Sequence, residues 1–402
     1  MPDINYPVAN KTNVEDALAE LATNKVSKVP SANPGNIIIA GEDGSMVDSG
    51  YPVFMDVITD PIYIQNATRK GNMRYIADVG DSFEVSRGSD ILTFDFIGFD
   101  ADTPADTQFT HSTTVQLHDC YKAIQFDAVE ALYYAETELS AGTYHFTLLA
   151  GYDAAYGGGL TYYFTLTQPV PAGGQIDFPW GTSKQASDTK ISTYASKTAT
   201  ATIETNISVT AGTDGIALTP TNHPHCIRYG SNNWQESAIR QWLNSNAAAG
   251  SVWIPTNNYD RPPTWVTTES GFLNDIDADF LSVIGDVTKR TANNTITDGG
   301  GYTDLTEKFF LPSRSEVGGT NENNINEGDP YSYYDDMLIN HTRSETEIAG
   351  RIKYLSGIAC IWWLRSPHSS YAYNVRNVNM SGSVYGSTAL NALGAAPACC
   401  II

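Results

Sequence analysis

The sequence predicts a multidomain α+β protein, β-rich through its N-terminal and middle modules and different in character at its C-terminal end. Runs of branched and aromatic residues separated by turns recur between Val57 and Thr213, without long helices between them. Six of the seven Trp lie beyond Gly215. At 402 residues the chain also exceeds the usual range of one domain. The expected divisions are 1–56, a short helix and connector; 57–214, a sandwich-like β region; and 215–402, a third domain.

The first element expected is a helix over 13–25. Asn13 can cap it, Glu15 and Asp16 suit its first turn, and Val14, Leu18 and Leu21 share a face. A helix of about three turns is marginal alone, so that face is expected to meet other copies or a larger assembly. Residues 30–50 read as an extended connector around Ile37, Ile38 and Ile39, with turns at Asp43-Gly44 and Ser49-Gly50. Strands are then expected over 91–97, 144–148 and 160–166, with 127–138 as a competing helix.

Beyond Gly215 a helix is expected over 234–244, because Trp234, Ala238, Ile239, Trp242 and Leu243 fall at helical spacing and form a core stripe. A second helix is expected over 272–283, and long polar loops over 298–303 and 318–329. From Asn377 onward there is no Lys, Arg, Asp or Glu. A terminus ending in Cys399-Cys400-Ile401-Ile402 should therefore fold back and pack, with the two cysteines on opposite faces of a strand.

Composition excludes several functions. A net charge of −22 and a pI near 4.5 argue against nucleic acid, whose phosphates require clustered Lys and Arg. Neither a secretory leader nor a bilayer-length apolar run is visible, so no membrane insertion is expected. Five Cys without Cys-x-x-Cys spacing indicate neither zinc nor a disulfide framework and read as buried thiols. His223, His225 and Cys226 lack a further ligand at familiar spacing. The acidic run Asp275, Asp277 and Asp279 lacks the Gly and later Glu of a calcium loop, and the pair Glu136 and Glu138 is unremarkable in so acidic a chain. No phosphate loop or dinucleotide fingerprint is present. No catalytic residue, metal or cofactor is expected.

Two sets of phrases resemble known families. The stretch Gly35-Asn36-Ile37-Ile38 followed by Asp43-Gly44-Ser45-Met46-Val47-Asp48-Ser49-Gly50 resembles the N-termini of phage tail-fibre and tail-adhesin proteins. Ile227 to Trp234, Ile239 to Asn244, Phe310-Leu311-Pro312-Ser313 and Trp362-Trp363-Leu364-Arg365-Ser366-Pro367 resemble a family with a C-type-lectin-like fold, and are similar to formylglycine-generating-enzyme-like domains. The end departs from the common Gly-Val-Arg-Pro-Ala form, having Gly394-Ala395-Ala396-Pro397-Ala398, so a role for an Arg there is lost. Formylglycine-generating enzymes use cysteines, but Cys399 and Cys400 sit in an apolar strand with no basic residue local in sequence.

Relatives of this lectin-like group include variable proteins diversified by retroelements, which rewrite a C-terminal stretch at adenines. The resemblance implies a variable ligand-binding surface made of His368, Ser369, Ser370, Tyr371, Tyr373, Asn374, Arg376, Asn377 and Asn379. Over 368–379 there is no Lys, Glu, Gln, Met or Trp, the types an adenine-rewritten Asn codon cannot reach. Tyr, Ser and Asn also suit a paratope, because Tyr offers area with few rotors and Ser and Asn adapt their hydrogen bonds. Trp362, Trp363, Leu364, Arg365, Pro367, Gly382, Gly394 and Pro397 are expected to be scaffold.

The resemblance thus implies a phage tail receptor-binding protein, made in the bacterial cytoplasm and carried on the virion. It would be a homotrimer, joined to other tail proteins, with a host-cell surface protein or glycan as ligand. A bacterial surface or secreted lectin-like binding protein and a carbohydrate-active enzyme are the alternatives.

Overall fold

A computed structural model describes residues 36–40, 46–52, 59–128, 130–134, 137–147, 161–166, 168–169, 171, 175–177, 199–201, 208–211, 216–217, 225–227, 230–256 and 262–402. The expected helix over 13–25 lies outside them. Strand outweighs helix, 32% against 16%, so the protein is β-rich with few helices. The chain divides into two units, Met1–Ile64 and Gln65–Ile402. In the first, β1 (Asn36–Ala40) and β2 (Met46–Pro52) form an antiparallel hairpin with Ile38 opposite Asp48 and Ala40 opposite Met46.

The first strands of the second unit are β3 (Ser82–Arg87), β4 (Asp90–Phe99), β5 (Thr113–Leu117) and β6 (Lys122–Gln125). Eight strands follow: β7 (Glu130–Tyr134), β8 (Gly142–Thr147), β9 (Thr161–Leu166), β10 (Gln175–Asp177), β11 (Ala199–Ala201), β12 (Ser208–Ala211), β13 (Ile216–Ala217) and β14 (His225–Ile227). They make one sheet in the order β13-β8-β9-β12-β11-β10-β7-β14. Within the stretch that competed as a helix, Glu130–Tyr134 is the strand β7, paired with β10 and β14.

The remaining chain adds α1 (Ala238–Leu243), α2 (Ala278–Val283), β15 (Ile284–Gly285), β16 (Val287–Ala292), β17 (Tyr302–Glu307), β18 (Phe309–Phe310) and α3 (Ser332–Asp335). It ends with β19 (Lys353–Leu355), β20 (Ile358–Cys360), β21 (Trp362–Pro367), β22 (Asn374–Val378), β23 (Val384–Thr388), β24 (Ala392–Ala395) and β25 (Ala398–Ile401). Two sheets carry the site. One runs β15-β25-β5-β4-β3 with β18 also on β25, the other β23-β22-β21-β24-β6.

These sheets cross the division expected at 214/215 in both directions. β25 pairs antiparallel with β5, Ala398 opposite Gln116 and Ile401 opposite Thr113, and β24 pairs with β6. Conversely β14, beyond 214, belongs to the eight-stranded sheet through β7. Local pattern identifies a strand, but its ladder partner can be any strand beside it in space. The uncharged terminus is accordingly a central strand, with Ala398 through Ile401 fully buried.

The helices are shorter than their apolar patterns. Ser237 caps α1, its hydroxyl accepting from Arg240 N, so Trp234 precedes the helix yet stays buried. Asp277 caps α2 by accepting from Phe280 N at 2.9 Å, and Asp275 stands at φ +66°, which no α-helix accommodates. Around them Phe83, Phe94, Phe96, Phe272, Phe280 and Phe309 form a core, with Phe94 and Phe280 rings 5.1 Å apart.

Candidate ligand-binding surface and its buried support

Strand β21 is buried at every residue, including Trp362, Trp363, Leu364, Arg365 and Pro367. The two indoles donate to backbone carbonyls, Trp362 to Arg351 and Trp363 to Ile124, each at 2.9 Å. Burying side chains of this size contributes on the order of 2–3 kcal/mol each. The other scaffold positions are tight as well. Gly382 at φ +84° has room for no side chain, since a Cβ would stand 2.0 Å from the Ile348 carbonyl oxygen. A Cβ on Gly394 would meet the Cys120 sulfur at 2.5 Å, and Pro397 accepts from Leu117 N through its carbonyl.

Arg365 is the hub of a buried charge cluster. Its guanidinium forks onto Glu316 and donates to the carbonyls of Leu311, Arg290 and Glu327. Lys289 joins Glu316, Asp102 and the Tyr331 hydroxyl. Ser313 and Glu316 cap each other reciprocally, Ser313 N to the carboxylate and Glu316 N to the hydroxyl. Two cations thus face two anions. Burial favours neutral Asp102 and Glu316, but Lys289 and Arg365 outweigh it and hold both below the usual carboxylate range. Glu327 is the surplus acid, and burial pushes it up to about 7 against the pull of Arg365. Lys289, Asp102, Glu316 and Glu327 of this cluster line a polar cleft of about 540 Å³, together with the ion pair Arg290–Asp304. Among the described residues no group of three or more His, Cys, Asp or Glu is placed to hold a metal ion.

Beyond β21 the chain turns through 368–373 into β22, and Asn232 fixes that turn. Its buried amide nitrogen reaches the carbonyls of Tyr371 at 2.6 Å and Asn374 at 2.9 Å, while its backbone N–H donates to Ala372. Its oxygen accepts from Asn294, which also contacts Asp298. Glu322 supports the other side, accepting from Ser369 N, Arg376 and Arg314. Burial would raise the Glu322 carboxyl, yet Arg376, Ser369 N–H and Arg314 hold it at about 2. Burial, then the Arg376 charge, lowers the His368 imidazole.

The nine residues expected to form the variable surface therefore divide. Ser370 is exposed; His368, Tyr371, Asn374, Arg376 and Asn379 are half-buried. Ser369, Tyr373 and Asn377 are buried, at 8%, 6% and 1% exposure, and are not displayed. Tyr373 packs with Ala372 beneath Tyr371, Ile296 and Leu390. A strand alternates its faces, so a contiguous run of polar residues cannot all look outward. Neither side-chain amide atom of Asn377, nor the Asn374 side-chain oxygen, has a hydrogen-bond partner among the described residues.

Sequence reading missed the acids that hold this surface. Glu322 and Glu327 lie in the 318–329 stretch expected to be a polar loop, yet both are nearly fully buried. Only Ser313-x-x-Glu316 carried a local signal, as a capping box. Met380 and Tyr385 are exposed as well, at 57% and 67%, Met380 next to Asn379 in sequence and Tyr385 opposite Asn377 in the β22–β23 ladder, on the other side of the hairpin from Arg376. The family model described as a domain of unknown function, DUF6273, matches residues 200–402, just over half of the chain.

The chain belongs to the DUF6273 family.

No curated protein and no solved structure matches it. The DUF6273 region contains the Asn232 turn, the displayed turn and hairpin, and every member of the charge cluster except Asp102, while Asp102 and the strands β5 and β6, which pair with β25 and β24, lie outside the match. Among the described residues no helix is long and apolar enough to cross a membrane.

Proposed function

We propose that the DUF6273 region is a lectin-like binding domain, presented by a phage tail adhesin, that grips a host-cell surface protein or glycan without chemistry. The observation that carries this reading is the pairing of opposites in adjacent strands. A fully buried strand, Trp362–Pro367, is tied down by the Arg365–Glu316 ion pair, and the turn and hairpin that follow expose Ser370, Met380 and Tyr385 and leave Tyr371 half-buried. Rigid support beneath adaptable polar and tyrosyl contacts suits recognition of a macromolecular surface. The three buried members of the expected set fall out of the contact residues, leaving His368, Ser370, Tyr371, Asn374, Arg376 and Asn379, with the exposed Met380 and Tyr385 of the same hairpin presenting a further edge to a large ligand. The N-terminal resemblance supports attachment to other tail proteins, and a homotrimer would add avidity to individually weak contacts.

The test is binding of the labelled full chain to panels of bacterial cells and to a glycan array. Replacing Tyr371 and Tyr385 together by Ala should remove binding while leaving circular dichroism and the melting midpoint close to wild type. Binding that survives the double substitution would move the contact surface elsewhere. Release of sugar from a bound glycan would favour the enzyme alternative.

A further inference from the structure

We propose that Cys120 and Cys360 form a thiol–disulfide exchange site, whose reaction partner is a low-molecular-weight disulfide and whose product is an intramolecular cross-link. They are 240 positions apart in sequence, yet their sulfurs stand 3.3 Å apart. Cys120 lies in the turn between β5 and β6, and Cys360 closes β20 immediately before the Trp strand. A disulfide spans about 2.05 Å, so closure asks for roughly 1 Å of sulfur movement.

The surroundings are shaped around the pair. Gly394 of β24 faces both sulfurs, and a Cβ there would stand 2.5 Å from that of Cys120 and 3.1 Å from that of Cys360. Its φ is not positive, so what the position requires is space and not backbone freedom. Backbone bonds fix both ends: Cys120 N donates to the Tyr354 carbonyl at 2.8 Å, and Gly394 N to that of Ile361. Lys353 sits directly across the β19–β20 ladder from Cys360.

Reach differs between the thiols. Cys360 is half-buried, while Cys120 is buried but lines a cleft of about 570 Å³ with Thr93, His118, Asp119 and Tyr121. The hydrogen bond shared by the two sulfurs, helped by Lys353, lowers the Cys360 thiol, whereas the same bond and burial raise Cys120. Cys360 is therefore the attacking group and Cys120 the resolving one. By contrast Cys399 and Cys400 are fully buried in the central strand, where burial pushes both thiols up.

The Cys360 thiolate attacks one sulfur of the small disulfide, forming a mixed disulfide and expelling one thiolate, which takes a proton from solvent. Cys120, giving its proton to solvent, attacks the Cys360 sulfur and expels the second thiolate. Two protein thiols and one disulfide thus become one protein disulfide and two small thiols, and two electrons pass from protein to reagent. The cross-link closes a loop containing the entire eight-stranded sheet, and it stands whether or not the displayed face binds a ligand.

Incubating the folded full chain with oxidised glutathione, blocking free thiols and mapping unreduced peptides tests this. A linked Cys120–Cys360 peptide should dominate, raise the melting midpoint and disappear with dithiothreitol. In Cys120→Ser, glutathione should remain on Cys360; in Cys360→Ser, its uptake at Cys120 should be at least about tenfold slower. Two results overturn the proposal: both thiols staying free in the folded wild type, or Cys120 taking glutathione as fast in Cys360→Ser. If either serine variant fails to fold, the wild-type peptide map decides alone.

Discussion

Arg365 and Asn377 lie on neighbouring strands, are equally hidden from solvent, and are treated in opposite ways. Arg365 spends its donors on one carboxylate and on carbonyls from three other segments. Asn377 faces Trp363 across the ladder with neither side-chain amide atom paired among the described residues. An unpaired buried amide costs about 1–3 kcal/mol, whereas removing one member of a buried ion pair costs about 3–5 kcal/mol. The difference teaches where the fold is over-determined. Strand β21 admits almost no change, while β22 carries side chains whose polar atoms its packing does not use.

The strongest way to break that comparison is Arg365→Ala, which should cost about 3–5 kcal/mol in urea unfolding by leaving Lys289 alone to balance Asp102 and Glu316. A loss below about 1 kcal/mol would mean the cluster is not what fixes the strand. Acid should come next. Glu322 has a folded pKa of about 2 against an ordinary 4.5, so its contribution is complete above about pH 4.5 and disappears as pH falls towards 2. The stake is on the order of 3 kcal/mol, and Glu322→Gln should flatten that part of the pH–stability curve. A variant as acid-sensitive as wild type would assign the loss to other carboxylates.

Glu327 has the opposite sign. Its folded pKa is raised to about 7, so the stability linked to its protonated form is full below pH 4.5 and is lost as pH rises through 7. Glu327→Gln should therefore gain on wild type at pH 8 relative to pH 5, by a shift in melting midpoint. An unchanged difference between the two pH values counts against a buried surplus acid. Asn377→Leu is smaller and goes upward, by about 1 kcal/mol, because an apolar side chain removes the unpaired amide. Destabilisation instead would reveal a partner for that amide. Smallest of all, Tyr385→Ala should alter stability by no more than about 0.5 kcal/mol at its exposed position, making it a clean probe of binding.

Much of the second unit's local structure was legible in the residues. The stripe of Trp234, Ala238, Ile239, Trp242 and Leu243 is buried, and the strands expected over 91–97, 144–148 and 160–166 correspond, within the described residues, to β4, β8 (Gly142–Thr147) and β9 (Thr161–Leu166), because side-chain periodicity follows backbone geometry. Helix lengths were overread, since capping by Ser237 and Asp277 overrides apolar spacing. Cysteine spacing gave no hint that Cys120 and Cys360 meet, and the acids at 322 and 327 read as loop solvation until their arginine and backbone partners were in view.

Composition by itself determined that the last residues are interior, for a run lacking any charge and ending in Cys-Cys-Ile-Ile gains more from burial than from water. Tertiary structure alone decided that β5 and β6 complete the C-terminal sheets, which buried acids hold the displayed turn, and which of nine polar neighbours face outward. Those outcomes depend on strands and charges far apart in the chain, whose pairing is fixed by packing in three dimensions and leaves no periodic trace along the sequence.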